Sequence, residues 1–292
     1  MTHDPSTPRL GKDAIAHGLR ALGVRAGMGL MVHSSLRSFG YVEGGARAVI
    51  EALMEVVTPE GALLMPSFNH DVPFRPGGPG FYDPLTTPTS NGAIPDLFWR
   101  LPGVHRSLDP THPFAAWGRN ARRYVEGHHL TLTMGPRSPL GLLHADGGRG
   151  LLLGVSYASN TFHHVVETTL GVPCLGKRTE AYLIHLPDGR CVVGRTWGWR
   201  SRLCPYTDEN RYGAVMRERG LERVGMIGDC TATLFALHDC FGVVAGMLRE
   251  GRDGFPPCSG CSIRARTDPH IVPSDWDEAN QAPLPDSVAW IY

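Results

Sequence analysis

The strongest constraint on the fold is an alternation of short apolar runs and amphipathic stretches near the start of the chain. Residues 29–32 are apolar and begin a strand over 29–33; residues 46–57 carry Ala48, Ile50, Leu53 and Val57 on one side at helical spacing; residues 62–65 are apolar again, behind a Thr58-Pro59-Glu60-Gly61 turn. Strand, helix and strand in that order make a β-α-β unit, which needs a parallel strand pair with a helix across one face. Residues 150–155 (Gly-Leu-Leu-Leu-Gly-Val) form another run apolar enough for a strand buried on both faces. The same reading predicts helices over 12–22, 94–100 and 138–145 and a strand over 113–118. Ser138 and Pro139 suit the N-cap and first position of the third of these helices.

Beyond residue 175 the pattern changes. Residues 180–186 and 191–197 flank Pro187-Asp188-Gly189-Arg190, and an Asp-Gly pair between alternating runs signals a β-hairpin. Helix over 209–219, strand over 222–227 and one long helix from about Thr231 to Arg249 follow. The expected fold class is α/β: a single three-layer α/β/α domain with a mixed, mostly parallel central sheet and a β-hairpin appendage. Residues 66–92 break the rhythm with many prolines and glycines, including Arg75-Pro76-Gly77-Gly78-Pro79-Gly80. A loop this long, leaving the end of a core strand, is expected to face a substrate.

Composition excludes several classes. With 292 residues the chain can bury a sizeable core, and 42% apolar against 19% charged residues is ordinary for a globular enzyme. Lys plus Arg and Asp plus Glu are both 28, so no global field points to nucleic acid or an anionic membrane. That neutrality also counts against a polycationic substrate, unless acidic groups gather locally. The N-terminus lacks the basic and apolar regions of a signal peptide, and no run of about 18 apolar residues exists to span a membrane. Seven scattered cysteines read as reduced thiols, so a cytoplasmic location is expected.

The chemistry concentrates in Asn160-Thr161-Phe162-His163-His164-Val165-Val166-Glu167, a loop and helix that follow the 150–155 strand. On a helix His164 and Glu167 share a face, and a carboxylate beside an imidazole orients the ring and stabilises its protonated form. Strand, loop and helix put the pair at the carboxyl end of a strand, where open α/β sheets bind ligands. His164 is the expected general base and Glu167 its orienting partner. The alternative is a pair of packing histidines near the surface. A metal site is not expected: the spacing is not His-Glu-x-x-His, and His163 should point about 100° away around the helix.

A second candidate runs from His33 to Ala46. It leaves a strand end, turns through Gly40 and Gly44-Gly45, and opens a helix whose N–H groups and dipole favour anions. Ser34, Ser35 and Arg37 add phosphate donors, and Tyr41 and Val42 could line a path to the reacting group. The plainer alternative is a βα turn with a solvated arginine.

Several of these motifs stand in one order: His33-Ser34-Ser35-Leu36-Arg37-Ser38-Phe39-Gly40, Gly61-Ala62-Leu63-Leu64-Met65-Pro66-Ser67, Asp109-Pro110-Thr111-His112-Pro113-Phe114-Ala115-Ala116, Gly135-Pro136-Arg137-Ser138-Pro139-Leu140-Gly141, and the His-x-x-Glu. Together they resemble the aminoglycoside 3-N-acetyltransferase family, the antibiotic NAT group, distinct from the GNAT acetyltransferases. The likeness runs from about Leu10 to Leu248. It departs from the family at Asp109, where His or Asn is usual, and at Pro113, where Ser is common. The resemblance implies an acetyltransferase domain over 1–250 with a C-terminal extension over 251–292, and a cytoplasmic enzyme acting as monomer or homodimer on acetyl-coenzyme A and an amine. It puts the catalytic pair on His164 and Glu167. The donor would lie against His33, Ser34, Ser35, Arg37, Tyr41, Val42, Gly44, Gly45 and Ala46. Asn69, Asp71, His112, Asn160 and Glu209 are the candidates for the acceptor side. The implied acceptor is the 3-amino group of a 2-deoxystreptamine aminoglycoside. The alternatives are a related acyltransferase on another metabolite amine and a non-catalytic coenzyme A-binding protein. Neither metal nor nucleic acid is expected in catalysis. Cys258-Ser259-Gly260-Cys261 lies beyond the family core and reads either as half of a structural zinc site or as paired reduced thiols.

Overall fold

The first apolar run becomes the middle of the molecule. The computed structural model describes residues 10–69, 73, 77–175, 178–197, 200, 202–208, 210–264, 271–272 and 290–291. Its elements up to residue 169 are α1 (Lys12–Leu22), β1 (Gly29–Ser34), α2 (Gly45–Val57), β2 (Ala62–Pro66), β3 (Phe81–Tyr82), α3 (Ala93–Phe98), β4 (His105–Arg106), β5 (Phe114–Gly118), α4 (Ala121–Val125), α5 (Pro139–Ala145), β6 (Arg149–Leu153) and α6 (Phe162–Thr169). Then come β7 (Arg178–His185), β8 (Cys191–Trp197), α7 (Arg211–Glu218), β9 (Glu222–Ile227), β10 (Cys230–Ala236), α8 (Leu237–Glu250), β11 (Ile271–Val272) and β12 (Trp290–Ile291).

Seven strands form the main sheet in the order β4-β5-β2-β1-β6-β10-β9. β1 pairs in parallel with β2 and β6, while the pairings outside these three strands are antiparallel. The sheet is therefore mixed, with its parallel part at the centre. Alternation along β1 divides the core. Leu30 and Val32 pack with Ile15, Leu19, Ile50 and Leu53 of α1 and α2, while Met31 joins Leu152, Leu143, Phe162 and Val166 on the opposite face. That is the three-layer arrangement expected from the sequence. The predicted cap is also present, as Ser138 Oγ accepts the Gly141 N–H at 3.2 Å and Pro139 starts α5. Among the described residues no helix is long and apolar enough to cross a membrane.

One predicted element is wrong. The long helix from Thr231 is a strand, β10, up to Ala236, and α8 begins only at Leu237. Gly228, with φ 59°, and Asp229 turn the chain so that Cys230 pairs with Ile227. β10 is then paired on both sides, by β9 and β6, with Cys230, Ala232 and Leu234 buried on one face. Two ladders of backbone hydrogen bonds outweigh the helix propensity of Ala and Leu.

The hairpin β7–β8 carries a second sheet, in the order β11-β7-β8-β12, around Tyr82, Ile184 and Val192. β3, inside the long 66–92 loop, joins it by pairing with β7. The loop is tied at its start: Phe68 O accepts from Ser90 N at 2.8 Å and Thr89 Oγ1 at 2.7 Å. Arg106 anchors it as well, donating to Ser67 O at 3.0 Å beneath the Trp99 ring.

Candidate functional site

β1 and β6 run side by side and release their chains at the same sheet end, one toward α2 and the other toward α6. Crossovers leave the sheet in different directions at this point, which opens a crevice. The two loops touch at Gly154. Its φ is 67°, and a Cβ there would collide with the Ser38 side chain, so only glycine lets the loop after β1 pass.

From Gly154 the chain makes a short 3-10 turn over Tyr157–Ser159 and enters α6. Asn160 fixes that entry: its Oδ1 accepts the Phe162 N–H at 3.2 Å, its Nδ2 reaches Cys240 Sγ at 3.7 Å, and it is 1% exposed. An acceptor-side residue in the sequence reading, Asn160 here spends its side chain on the helix start. His33, next to last in β1, meets the start of α6, with Nε2 3.4 Å from both the Thr161 amide and hydroxyl. Burial pushes its pKa down to about 3, so the ring is neutral.

His164 and Glu167 meet as their spacing implies. Nδ1 of His164 lies 2.7 Å from Glu167 Oε2, with the imidazole side chain 22% accessible and the carboxylate 1%. Arg200 Nη2 donates to the same oxygen at 2.6 Å and lies 3.4 Å from His164 Nδ1. The carboxylate needs Nδ1 as a donor and the guanidinium would need it as an acceptor. The contact to the carboxylate is the shorter and charge-assisted one, so Nδ1 carries the proton and Nε2 the lone pair. Burial, then the Arg200 cation, then His112 hold the His164 pKa well below its ordinary value. Arg200, which burial alone would weaken as a cation, is held above its ordinary pKa by Glu167.

Arg200 went unnoticed in the sequence because it lies 36 residues from His164, past the hairpin. One signal was available: a carboxylate on the inner face of a buried helix must find a cation.

His163 departs from expectation. Its ring centroid is 3.9 Å from that of His164, and the ligand atoms of His163, His164 and Glu167 all lie within 4.8 Å of one another. Neighbouring helical residues do therefore converge here, because χ rotation swings the long side chains across the helix surface. Part of this donor set is already engaged, while His163 Nε2 and Glu167 Oε1 are buried with no hydrogen-bond partner among the described residues. His164 Nδ1 and Glu167 Oε2 engage each other, the Arg200 guanidinium takes the cation's place beside them, and His163 Nδ1 bonds Asn160 O at 2.6 Å.

His112 is brought toward this group, near enough for its charge to bear on His164. It is buried, its ring lies 4.9 Å from that of Phe68, and its Nδ1 contacts Thr111 Oγ1 at 2.7 Å. Asp109, the departure from the family pattern, is the bracket behind it. Fully buried, it accepts the His112 N–H at 2.7 Å, the Thr111 N–H at 3.0 Å and the Thr133 hydroxyl at 2.6 Å. Asn69, 1% exposed, ties its loop to the same bracket through Pro110 O at 2.9 Å. Asp71 and Glu209 lie outside the described residues.

The 33–46 segment keeps its shape through backbone bonds. Ser35 N donates to Leu153 O at 2.9 Å, and Leu10 clamps the far end by receiving Glu43 N at 3.0 Å. Arg37 is exposed and Tyr41 is 48% exposed, whereas Val42 turns into the core at 8%. Gly44 and Gly45, with φ of 82° and 58°, open α2, whose partly buried Ala46 follows and whose first turn has no side-chain cap.

These elements have counterparts in known proteins. The family model described as aminoglycoside 3-N-acetyltransferase matches residues 31–249. The chain belongs to that family. Its members are acyltransferases, and the resemblance read from the ordered motifs is correct at that level. The YokD protein of Bacillus subtilis (strain 168), an aminoglycoside N(3')-acetyltransferase-like protein, is 33% identical over 248 residues, covering 78% of this chain and 88% of YokD. Aminoglycoside N(3)-acetyltransferase IV of a Salmonella species is 34% identical over 265 residues, covering 87% and 93%. The crystal structure of YokD superposes with a TM-score of 0.73 at 31% identity, over 84% of this chain and 95% of its own. A histidine-to-alanine mutant of AAC(3)-IVa in complex with a gentamicin superposes with a TM-score of 0.71 at 31% identity, over 89% and 96%.

Proposed function

We propose that the protein is an acetyl-coenzyme A-dependent N-acetyltransferase, acting on the 3-amino group of a 2-deoxystreptamine aminoglycoside by general-base catalysis in a ternary complex. The observation that carries this reading is the 2.7 Å contact between His164 Nδ1 and the buried Glu167. It sets the tautomer in which Nε2 can take a proton, and the depressed pKa leaves that nitrogen unprotonated at neutral pH. The amine nitrogen attacks the thioester carbonyl, a C–N bond forms and the C–S bond breaks. The amine proton passes to His164 Nε2, and coenzyme A leaves as its thiolate. Glu167 stabilises the imidazolium formed in between.

On the donor side, the uncapped start of α2 behind Gly44 and Gly45 is suited to phosphate oxygens, with Arg37 as an exposed cation beside it. For the acceptor, the support is relatives named aminoglycoside N(3)-acetyltransferases and a neighbour bound to a gentamicin.

The test is thiol release from acetyl-coenzyme A across aminoglycosides, other amines and no amine. Turnover of an aminoglycoside is expected, and His164→Ala should lower it by about 10²- to 10⁴-fold with little change in donor affinity. Near-normal turnover in a folded His164→Ala protein overturns the base assignment. Turnover confined to non-aminoglycoside amines overturns the substrate.

A further inference from the structure

Four of the seven cysteines, from three distant segments, line one cavity of about 270 Å³. Cys174 lies just past α6, Cys204 just past Arg200, and Cys258 and Cys261 in the segment after α8. All four are free thiols. We infer that Cys174, Cys204, Cys258 and Cys261 form a tetrathiolate site for a structural zinc ion.

The Cys-x-x-Cys pair has the local shape such a site needs. Cys258–Gly260 is a 3-10 turn, Cys261 N donates to Cys258 O at 3.2 Å, and the amide of Ile263 donates to Cys261 Sγ at 3.4 Å. An amide two residues on, aimed at sulfur, stabilises a thiolate ligand, as outer partners do in metal sites generally. Cys204 sits in a similar turn, with Thr207 N donating to Cys204 O at 3.2 Å. The Thr207 hydroxyl is fully buried, and its hydrogen-bonding neighbour is the Cys204 sulfur. It adjoins Cys204, and a thiolate there would accept its proton.

Charge supports the same conclusion. Zinc with four thiolates is a doubly negative centre, and arginines surround this one. Arg202 lines the cavity and holds Ser262 Oγ at 2.8 Å, Arg264 donates to the carbonyls of Cys261 and Ile263, and the charge of Arg200 bears on Cys174 and Cys204. Among the described residues no three of these sulfurs lie within 4.8 Å of one another. Zinc, with Zn–S bonds of about 2.3 Å, would require the four sulfurs to close on one another across the cavity. It would staple the C-terminal segment to the chain stretches that hold α6 and Arg200, and so brace the Arg200–Glu167–His164 contacts.

The whole chain, purified under reducing conditions, is analysed for metals and then reconstituted with Co²⁺. One zinc per chain is expected, with Co²⁺ giving intense tetrahedral ligand-field bands and sulfur-to-metal charge transfer. Cys258→Ser and Cys174→Ser should lose the metal, Cys191→Ser should keep it, and chelation should lower Tm. Protein that takes up no zinc, a cobalt spectrum of nitrogen and oxygen ligation, or disulfides found by non-reducing peptide mapping would each overturn the site. The cobalt spectrum of the unmutated protein decides the question even where a serine variant fails to fold.

Discussion

Nδ1 of His164 has a carboxylate at 2.7 Å and a guanidinium nitrogen at 3.4 Å, and these neighbours push its pKa in opposite directions. Glu167→Gln removes the negative neighbour and should move the acidic limb of the pH–rate profile down. Arg200→Gln removes the cation and should move it up. Shifts of the same sign in both variants would contradict the arrangement. Arg200→Gln also leaves the buried Glu167 carboxylate without its cation, with only His164 Nδ1 still donating to it, at a cost of about 3–5 kcal/mol in urea unfolding. His33 gives a separate signal in stability. Its folded pKa of about 3 lies below the ordinary 6.5, so its neutral form is favoured by folding. The associated stability is present above about pH 6.5 and lost as pH falls toward 3, amounting to about 2 kcal/mol by pH 5. His33→Asn should flatten the fall in urea midpoint between pH 7 and 5, and an unchanged slope would remove His33 from the account. At this scale the sequence showed the pair, offered His112 for another role and hid Arg200. His164 and Glu167 share one helix turn, so spacing reveals them, whereas Arg200 and His112 reach the group only through tertiary structure.

At the scale of elements, β1, α2, β2 and β6 were legible because each has a local pattern that the fold leaves intact. β10 was not, since Thr231-Ala232-Thr233-Leu234-Phe235-Ala236 suits either state and the choice is made by β6 and β9 on its two sides. The loop contact at Gly154 was equally hidden, because a glycine after a strand does not say what passes beside it. Gly154→Ala is expected to destabilise the protein by about 1–3 kcal/mol through its positive φ alone, with the clash adding to that. Ser38→Ala should not rescue it, as the Ser38 Cβ itself would overlap the new methyl group. Because Ser38 belongs to the loop that carries Arg37, the Michaelis constant for acetyl-coenzyme A should rise in the same variant. Full rescue by Ser38→Ala, measured by thermal unfolding, would show that the loop yields more readily than its packing indicates.

For the molecule as a whole, a formal net charge of +0 gives little long-range attraction for a polycation, so any selectivity for aminoglycosides has to be local. Several acidic groups around the site are already committed. Glu167 holds Arg200 and His164, Asp109 is buried among four hydrogen bonds, and Asp208 Oδ2 accepts the Cys204 N–H at 2.6 Å. That leaves Asp71 and Glu209, predicted from the sequence for the acceptor side, as the carboxylates to test. Asp71→Asn and Glu209→Gln should each raise the Michaelis constant for gentamicin severalfold while turnover stays near that of the unmutated enzyme, the signature of lost ground-state binding. Exposed ion pairs weaken once the Debye length falls toward about 10 Å at 0.1 M salt, so added salt should shrink the difference between variant and parent. A neutral primary amine as acceptor should show neither effect. If gentamicin kinetics prove indifferent to salt and to both substitutions, ammonium recognition does not run through these two residues. If only the neutral amine is acetylated, the neutral surface is the better guide, and the acceptor is a metabolite rather than an antibiotic.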